Sequence, residues 1–315
     1  MFSHEGTPRV TSISPIPARP ALARPLGLGR ALARHLRRSP TTAFAAGVLL
    51  LIVLVAIFAP YIAPYDPLQL HRVDRLMTPN ATYLLGTDQT GRDELSRIIY
   101  GARVSLWVGF APIALSVVVG GTVGVVSGYF GGEIDSALQR VMDAFIAFPP
   151  LVLVLVTVSL LGSTLTDVVF ALAFVFLPVI NRVARASTLS VLSLPFIEAA
   201  RATGASHPRI ITFHVVPNVV APVLVVGTSL VGTAILSEAG LSFLGLGVAP
   251  PQPTWGNMLS GESRNLFEVA PWLAIFPGLA ITLSVLAFNL LGDGVRDLLD
   301  PRFNSTGGRG RSGMR

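Results

Sequence analysis

The sequence predicts an all-α polytopic membrane protein with six transmembrane helices. Three observations predict it: an apolar excess, charges confined to narrow bands, and arginines gathered outside the apolar runs. Hydrophobic residues make up 51% of the 315 and charged residues only 13%, and the mean hydropathy is +0.66. Soluble domains carry roughly a quarter charged residues, so most of this chain's surface must face lipid.

A spanning helix needs about 20 largely apolar residues. Charge-free runs of suitable character lie at Ser39–Tyr65, Val104–Gly132, Ala144–Thr166, Val168–Asn181, Ile210–Ser237 and Val269–Gly292. The fourth is short, and it spans if Asp167 and Arg182 sit at opposite interfaces. A seventh run, Ala239–Gly261, is broken by Pro250, Pro251, Pro253 and five glycines. Unpaired backbone is costly in hydrocarbon, so this run reads as an extramembrane or re-entrant loop, with Trp255 suited to an interfacial anchor.

Arginine asymmetry sets the orientation. Arg9, Arg19, Arg24, Arg30, Arg34, Arg37 and Arg38 precede the first run against one acid, Glu5. The N-terminus is therefore expected in the cytoplasm, and six spans return the C-terminus there. The segment after the fourth span (Arg182, Arg185, Arg201, Arg209, with Glu198) falls inside, and the segment after the fifth (Glu238, Glu262, Glu268, with Arg264) falls outside. The acidic Glu133–Asp143 segment dissents. The chain then divides into a disordered, basic, Pro-rich cytoplasmic tail (1–42), a first transmembrane helix with a periplasmic segment (43–101), a core with five transmembrane helices (102–293) and a cytoplasmic tail (294–315). The long Pro- and Arg-rich leader lacks a small-residue cleavage site after its apolar run, unlike a cleavable signal. Its charge suits anionic lipid.

Composition also excludes chemistry. All 23 basic residues are Arg, and a P-loop needs a Lys to reach the phosphates, so no nucleotide site of that type is expected. Leu259–Glu262 (LSGE) is a chance echo of an ATPase signature. With no Cys, thiolate metal sites, disulfides and Cys nucleophiles are excluded. None of the five His (His4, His35, His71, His207, His214) is expected well inside the hydrocarbon, which disfavours an intramembrane hydrolase. No catalytic residue, metal or cofactor is expected, and the charge distribution forms no nucleic-acid-binding face. The runs lack a midplane ionisable group of the kind that marks a proton- or ion-driven transporter, the rival reading along with a channel. Pro112, Pro149, Pro150, Pro178, Pro222 and Pro277 can kink helices. Gly120, Gly121, Gly124, Gly227, Gly232 and Thr233 permit close packing, and Asn289 suits an interhelical hydrogen bond.

The segment Leu194–Asn218 (LPFIEAARATGASHPRIITFHVVPN) reads as two short helices with a bend. Ser193 can cap the first, Pro195 suits its first turn, and Glu198–Ala202 contains strong helix formers. Gly204 supplies a left-handed stop. Ser206 and Pro208 open the second helix, and Pro217 punctuates the start of the fifth span. This arrangement suits a docking element with an Ala-rich face, or an ordinary amphipathic connector.

EAARATG, followed by VVP, resembles the EAA loop of ABC-importer permeases: Glu198, Ala199, Ala200, Gly204 and Pro217 match, while His214 and Val216 depart from the usual Ile and Leu. GTDQTGRDELSRIIYGARVSLWVG (86–109), EAGLSFLGLGVAPPQPTWGNM (238–258) and APWLAIFPGLAITLSVLAFNLLGDGVRDLLDPR (270–302) are similar to stretches of the dipeptide/oligopeptide/nickel permeases of the "C" type. The resemblance implies the type I ABC-importer permease fold in a bacterial inner membrane. It implies three partners: a homologous permease forming a heterodimer, two ABC ATPase subunits or a fused pair, and an extracytoplasmic substrate-binding protein. It makes Glu198, Ala199, Ala200, Arg201, Gly204 and Pro217 the ATPase-coupling residues, with Glu198 in polar contact and Gly204 at the bend. The 86–109 stretch would be an interfacial helix on the outer face. The 238–258 stretch would lie at the outer mouth, near the binding protein or as a stabilising lid.

Overall fold

In the computed structural model, residues 39–260 and 265–299 are described. The expectations for the leading tail, for the end of the C-terminal tail and for Glu262 and Arg264 lie outside them. Helices dominate: α1 (Pro40–Ile57), α2 (Glu94–Phe130), α3 (Gly132–Ile146), α4 (Pro150–Leu161), α5 (Leu165–Leu192), α6 (Pro195–Ala202), α7 (His207–Phe243), α8 (Trp255–Met258) and α9 (Trp272–Leu299). Five of these are long and apolar enough to cross a membrane, and α3 with α4, bent by 91°, forms a sixth candidate.

Helix directions decide whether that bent pair crosses. Ser116 donates to the Ala173 carbonyl at 2.9 Å. A Cβ on Gly120 would meet Leu177, one on Gly124 would meet Asn181 and Ala184, and one on Gly128 would meet Thr188. The contacts advance together, so α2 and α5 run parallel along a seam of small residues at four-residue spacing, which lets the backbones approach closely. Parallel neighbours need a return between them, and only α3 and α4 are available. With 12 residues, α4 covers about 18 Å of the roughly 30 Å core, and α3, turned 91° from it, adds little along the same direction.

Two other pairings complete the bundle. Gly109 of α2 faces Ile235 while Gly227 of α7 faces Val117, so α7 is antiparallel to α2. Gly232 faces Val285, Gly292 faces Ser229, and Gly294 faces Thr42. Helix α9 is thus antiparallel to both α7 and α1. The start of α1, the end of α9 and the 193–206 loop accordingly share one face of the bundle.

The helices overrun the charge-free runs from which they were expected. With 37 residues, α2 reaches about 55 Å, because the polar helix at Glu94–Arg97 continues unbroken into the second span. Instead of ending near Arg182, α5 continues for another ten residues to Leu192. Counted with an outer loop by sequence, Glu238 lies inside α7, wholly buried, accepting from Ser242 at 2.7 Å and Thr254 at 3.0 Å.

The acidic segment that dissented from the charge rule is helix α3. Its Asp135 accepts two hydrogen bonds from the Arg185 guanidinium, at 2.7 and 2.5 Å, and its Asp143 pairs with Arg182 at 3.1 Å. These acids neutralise arginines on the same face, so they do not oppose the orientation.

Trp255 is not an interfacial anchor. It is 2% exposed, its indole N–H donates to the Ile98 carbonyl at 3.0 Å, and its ring packs on Gly101. The Pro-rich segment before it therefore folds back onto α2. Large side chains such as Leu50, Trp107, Phe110, Val118, Leu160 and Leu283 are exposed. Such a surface suits lipid or a membrane partner rather than water.

Candidate functional site

Helix α6 begins with Pro at its first turn, as its sequence implies, but without a side-chain cap. Ser193 instead donates back to the Ser190 carbonyl at 2.9 Å, finishing α5. At the other end Gly204 has φ +78°, the left-handed stop that residues other than Gly adopt at a cost. A Cβ there would meet nothing within 4 Å. The bend is therefore set by the backbone, not by crowding.

Helix α6 buries Ile197 fully, half-buries Phe196 and Ala200, and exposes the rest. Ile197 is 0% exposed, packed in a cluster with Val125 and Tyr129 of α2, Ala184 and Val191 of α5, and Ile210, Val215 and Val219 of α7. Glu198, Ala199, Arg201 and Gly204 are exposed, and Ala200 is half-buried. The tip thus presents one carboxylate and one guanidinium beside small residues, on a helix seated against three long helices by Ile197, with Phe196 and Ala200 packed beside it.

Beyond the bend there is no second separate helix. A turn at His207–Ile210, with Ser206 at its N-cap position, passes through a π turn at Ile211–Val215 directly into Val216–Phe243. Ser206 makes no side-chain cap bond. Pro217 does not interrupt the helix, contrary to its expected role as punctuation. It has no N–H to give the preceding turn, and π bonding by Val216 to the Ile211 carbonyl accommodates the gap. Asn218 adds a side-chain bond to the His214 carbonyl at 2.6 Å. Of the six singled-out residues, five cluster at the tip and Pro217 sits in α7.

Sequence reasoning missed the residues that lock this loop. The Tyr129 hydroxyl and His207 Nδ1 are 2.8 Å apart, and Phe130 stands beside both rings. Asp135, also held by Ser127, ties α3 to α5 just before the loop. An aromatic at a helix end has no local pattern that betrays a partner 78 residues away. The acids of α3 did leave a signal, as the one exception to the charge rule.

On the opposite face a polar assembly closes the bundle. Asp93 caps α2 by accepting from Ser96 at 2.8 Å, and Asp88 Oδ1 accepts from the Thr90 and Arg92 backbones at 2.7 and 2.9 Å. Trp272 donates to the Thr87 carbonyl at 3.3 Å. The 86–97 stretch and the 250–260 stretch line a common small cavity of about 160 Å³.

Residues 120–305 match the family of binding-protein-dependent transport system inner membrane components, and residues 27–79 match the N-terminal TM domain of oligopeptide transport permease C. The chain belongs to this family of transport-system permeases. It is 41% identical over 253 residues to the dipeptide transport system permease protein DppC of Alkalihalophilus pseudofirmus, covering 80% of this chain and 83% of that one. It is 43% identical over 260 residues to DppC of Haemophilus influenzae, covering 81% and 88%. The glutathione transport system permease protein GsiD of Pectobacterium atrosepticum is 42% identical over 265 residues, covering 84% and 88%. An inward-facing structure of the MetNI methionine ABC transporter aligns with a TM-score of 0.51 at 18% identity, covering 64% of this chain and 96% of that one. This places the helical core in the permease fold.

Proposed function

We propose that this permease subunit forms half of the path by which an ATP-driven importer moves short peptides into the cytoplasm. Helix α6 is its contact with the ATPase. The observation that carries the reading is the contrast within α6: Ile197 is sealed into the bundle while Glu198, Ala199 and Arg201 stand free on the tip. A push on that tip reaches α2, α5 and α7 through the packed side chains of Ile197, Phe196 and Ala200 and through the Tyr129–His207 bond.

Glu198 makes the polar contact, Ala199 and Ala200 let the ATPase surface approach, and Gly204 holds the bend. Pro217 sets the π turn that joins the loop to α7. The contact transmits motion more than affinity, because an exposed ion pair is worth at most about 1 kcal/mol. The face bearing α6 and both ends of the helical core is cytoplasmic, in keeping with the arginines near it. The 63–97 and 244–260 segments face outward, where the substrate-binding protein docks. A homologous permease completes the path, and peptides are favoured as cargo by the names of the relatives.

Two measurements test this reading. Reporter fusions at Gly308 and within Pro250–Thr254 should report cytoplasmic and extracytoplasmic locations; the reverse pair overturns the orientation. The purified chain alone should hydrolyse no ATP, since it has no Lys to build a P-loop. Hydrolysis by the isolated chain would remove the need for a partner.

A further inference from the structure

Between α7 and α9, towards the face that carries α6, lies a cavity of about 610 Å³. That is within the range of roughly 300–1,000 Å³ typical of small-ligand sites. Its walls include Val183 of α5 and Ser229 and Thr233 of α7, and along α9 it is lined by Asn289, Asp293 and Arg296.

The last three stand at i, i+4 and i+7 on one stripe of α9. Close packing fixes the rotation that presents them. A Cβ on Gly292 would lie 2.3 Å from Ser229 Oγ, and one on Gly294 would lie 2.3 Å from a Thr42 methyl. Helix α9 is thus clamped between α7 and α1, leaving the stripe to face the cavity. The Asn289 amide has no partner among the described residues, which corrects the expectation that it bonds across helices. Asp293 and Arg296 are exposed, and neither forms an ion pair among the described residues. Polar groups at the inner end of a spanning helix are costly against lipid and mark solute paths when they line a cavity.

We propose that this cavity is a binding site for a short zwitterionic peptide on the cytoplasmic side of the path. Asp293 receives the peptide's ammonium, Arg296 its carboxylate, Asn289 its amide, and the valine-rich wall its side chains. The charges match in sign and spacing. Side chains at i and i+3 of a helix stand about 5–6 Å apart at Cβ, and two extended residues span about 7 Å. One acid beside one base leaves a zwitterion neutralised at both ends, whereas an ion of either sign would leave one group unmatched. The inference rests on the importer reading above and adds to it the place and chemistry of a peptide site.

The native chain has no Cys, so Thr233→Cys gives the one thiol of this subunit, whose labelling is read on its own gel band. In the assembled transporter in lipid, its rate of labelling by a membrane-impermeant sulfonated maleimide is measured with and without dialanine. The cavity should label from water. Dialanine should slow labelling several-fold, N-acetyl-dialanine amide should not, and adding Asp293→Asn or Arg296→Gln should abolish the protection. No labelling in the complex but labelling of the chain alone means that a partner subunit fills the groove, and the proposal fails. No labelling in either means lipid fills it, and labelling without peptide protection means an aqueous groove that binds no peptide; both also overturn it. These outcomes are separable from failure of the importer reading. If uptake and ATP hydrolysis depend on Glu198 while Thr233→Cys is unprotected, only the cavity falls. If dialanine protects while Glu198 variants transport normally, only the coupling role falls.

Discussion

Gly91 and Gly204 have nearly the same backbone, φ +80° and +78°, in opposite surroundings. A Cβ on Gly91 would lie 2.0 Å from the His71 carbonyl oxygen, while one on Gly204 would meet nothing within 4 Å. The pair captures the difference between the two faces of the molecule. The face with Gly91 is knitted together by backbone and buried polar groups: Asp88, Asp93, Thr87 and Thr254 are all at most 5% exposed. The face with Gly204 is held by apolar burial of Ile197, Ile210 and Val215, with its charges left outside. One end is built to keep its shape, and the other is built to present a surface.

The largest effect expected from breaking this contrast is at Gly91. Gly91→Ala adds left-handed strain of about 1–2 kcal/mol to a clash with fixed backbone of about 1–3 kcal/mol. Recovery of monodisperse protein after heating should fall sharply. Gly204→Ala carries only the strain, and its melting midpoint should move little; equal losses at both positions would erase the distinction.

Two substitutions of similar size then compare the packing. Trp255→Ala removes the buried ring from Gly101 and should cost roughly 3–5 kcal/mol, while Ile197→Ala should cost roughly 2–5 kcal/mol. Their consequences should separate by place: Trp255→Ala should raise protease sensitivity in the 244–260 segment, and Ile197→Ala in the 193–206 loop. Sensitivity appearing at both sites in either variant would mean that the two faces unfold as one unit.

Smaller effects are expected from the ion pairs of α3. Asp135 is held bidentately by a half-buried Arg185, and Asp135→Asn should cost about 1.5–3 kcal/mol, the range for hydrogen bonds to charged groups. Asp143 and Arg182 are exposed, and Asp143→Asn should cost at most about 1 kcal/mol. A double-mutant cycle on each pair, read by thermal denaturation, checks the order. A coupling energy at Asp143–Arg182 as large as that at Asp135–Arg185 would contradict it.

The sequence shows most clearly what depends on periodicity and composition, and much less of what depends on distant contacts. Lipid as solvent imposes long charge-free runs, so the span positions were legible, as was the turn at Gly204, because only Gly takes that backbone freely. Helix ends were misread wherever a charge found a partner. Arg182, Arg185 and Glu238 sit inside helices where Asp143, Asp135 and two hydroxyls meet them, and of those partners only Ser242 lies on the same helix as the charge it meets. Pro217 looked like a break because the π turn that absorbs it has no simple residue pattern. The tip residues of α6 were found through their resemblance to a known motif. Tyr129 and His207, which lock them, belong to no such motif.

The most direct test of the account concerns that tip. In the transporter reconstituted with its ATPase and binding protein, substrate uptake and substrate-stimulated ATP hydrolysis are measured side by side, with assembly checked by co-purification. Glu198→Arg reverses the one acid of the tip, and Gly204→Val places a β-branched residue at positive φ in open space, straining the bend without a clash. Both variants should assemble, and in both uptake should collapse together with the stimulation of hydrolysis. Assembled variants that transport at the wild-type rate would make α6 a simple connector and contradict its role in coupling.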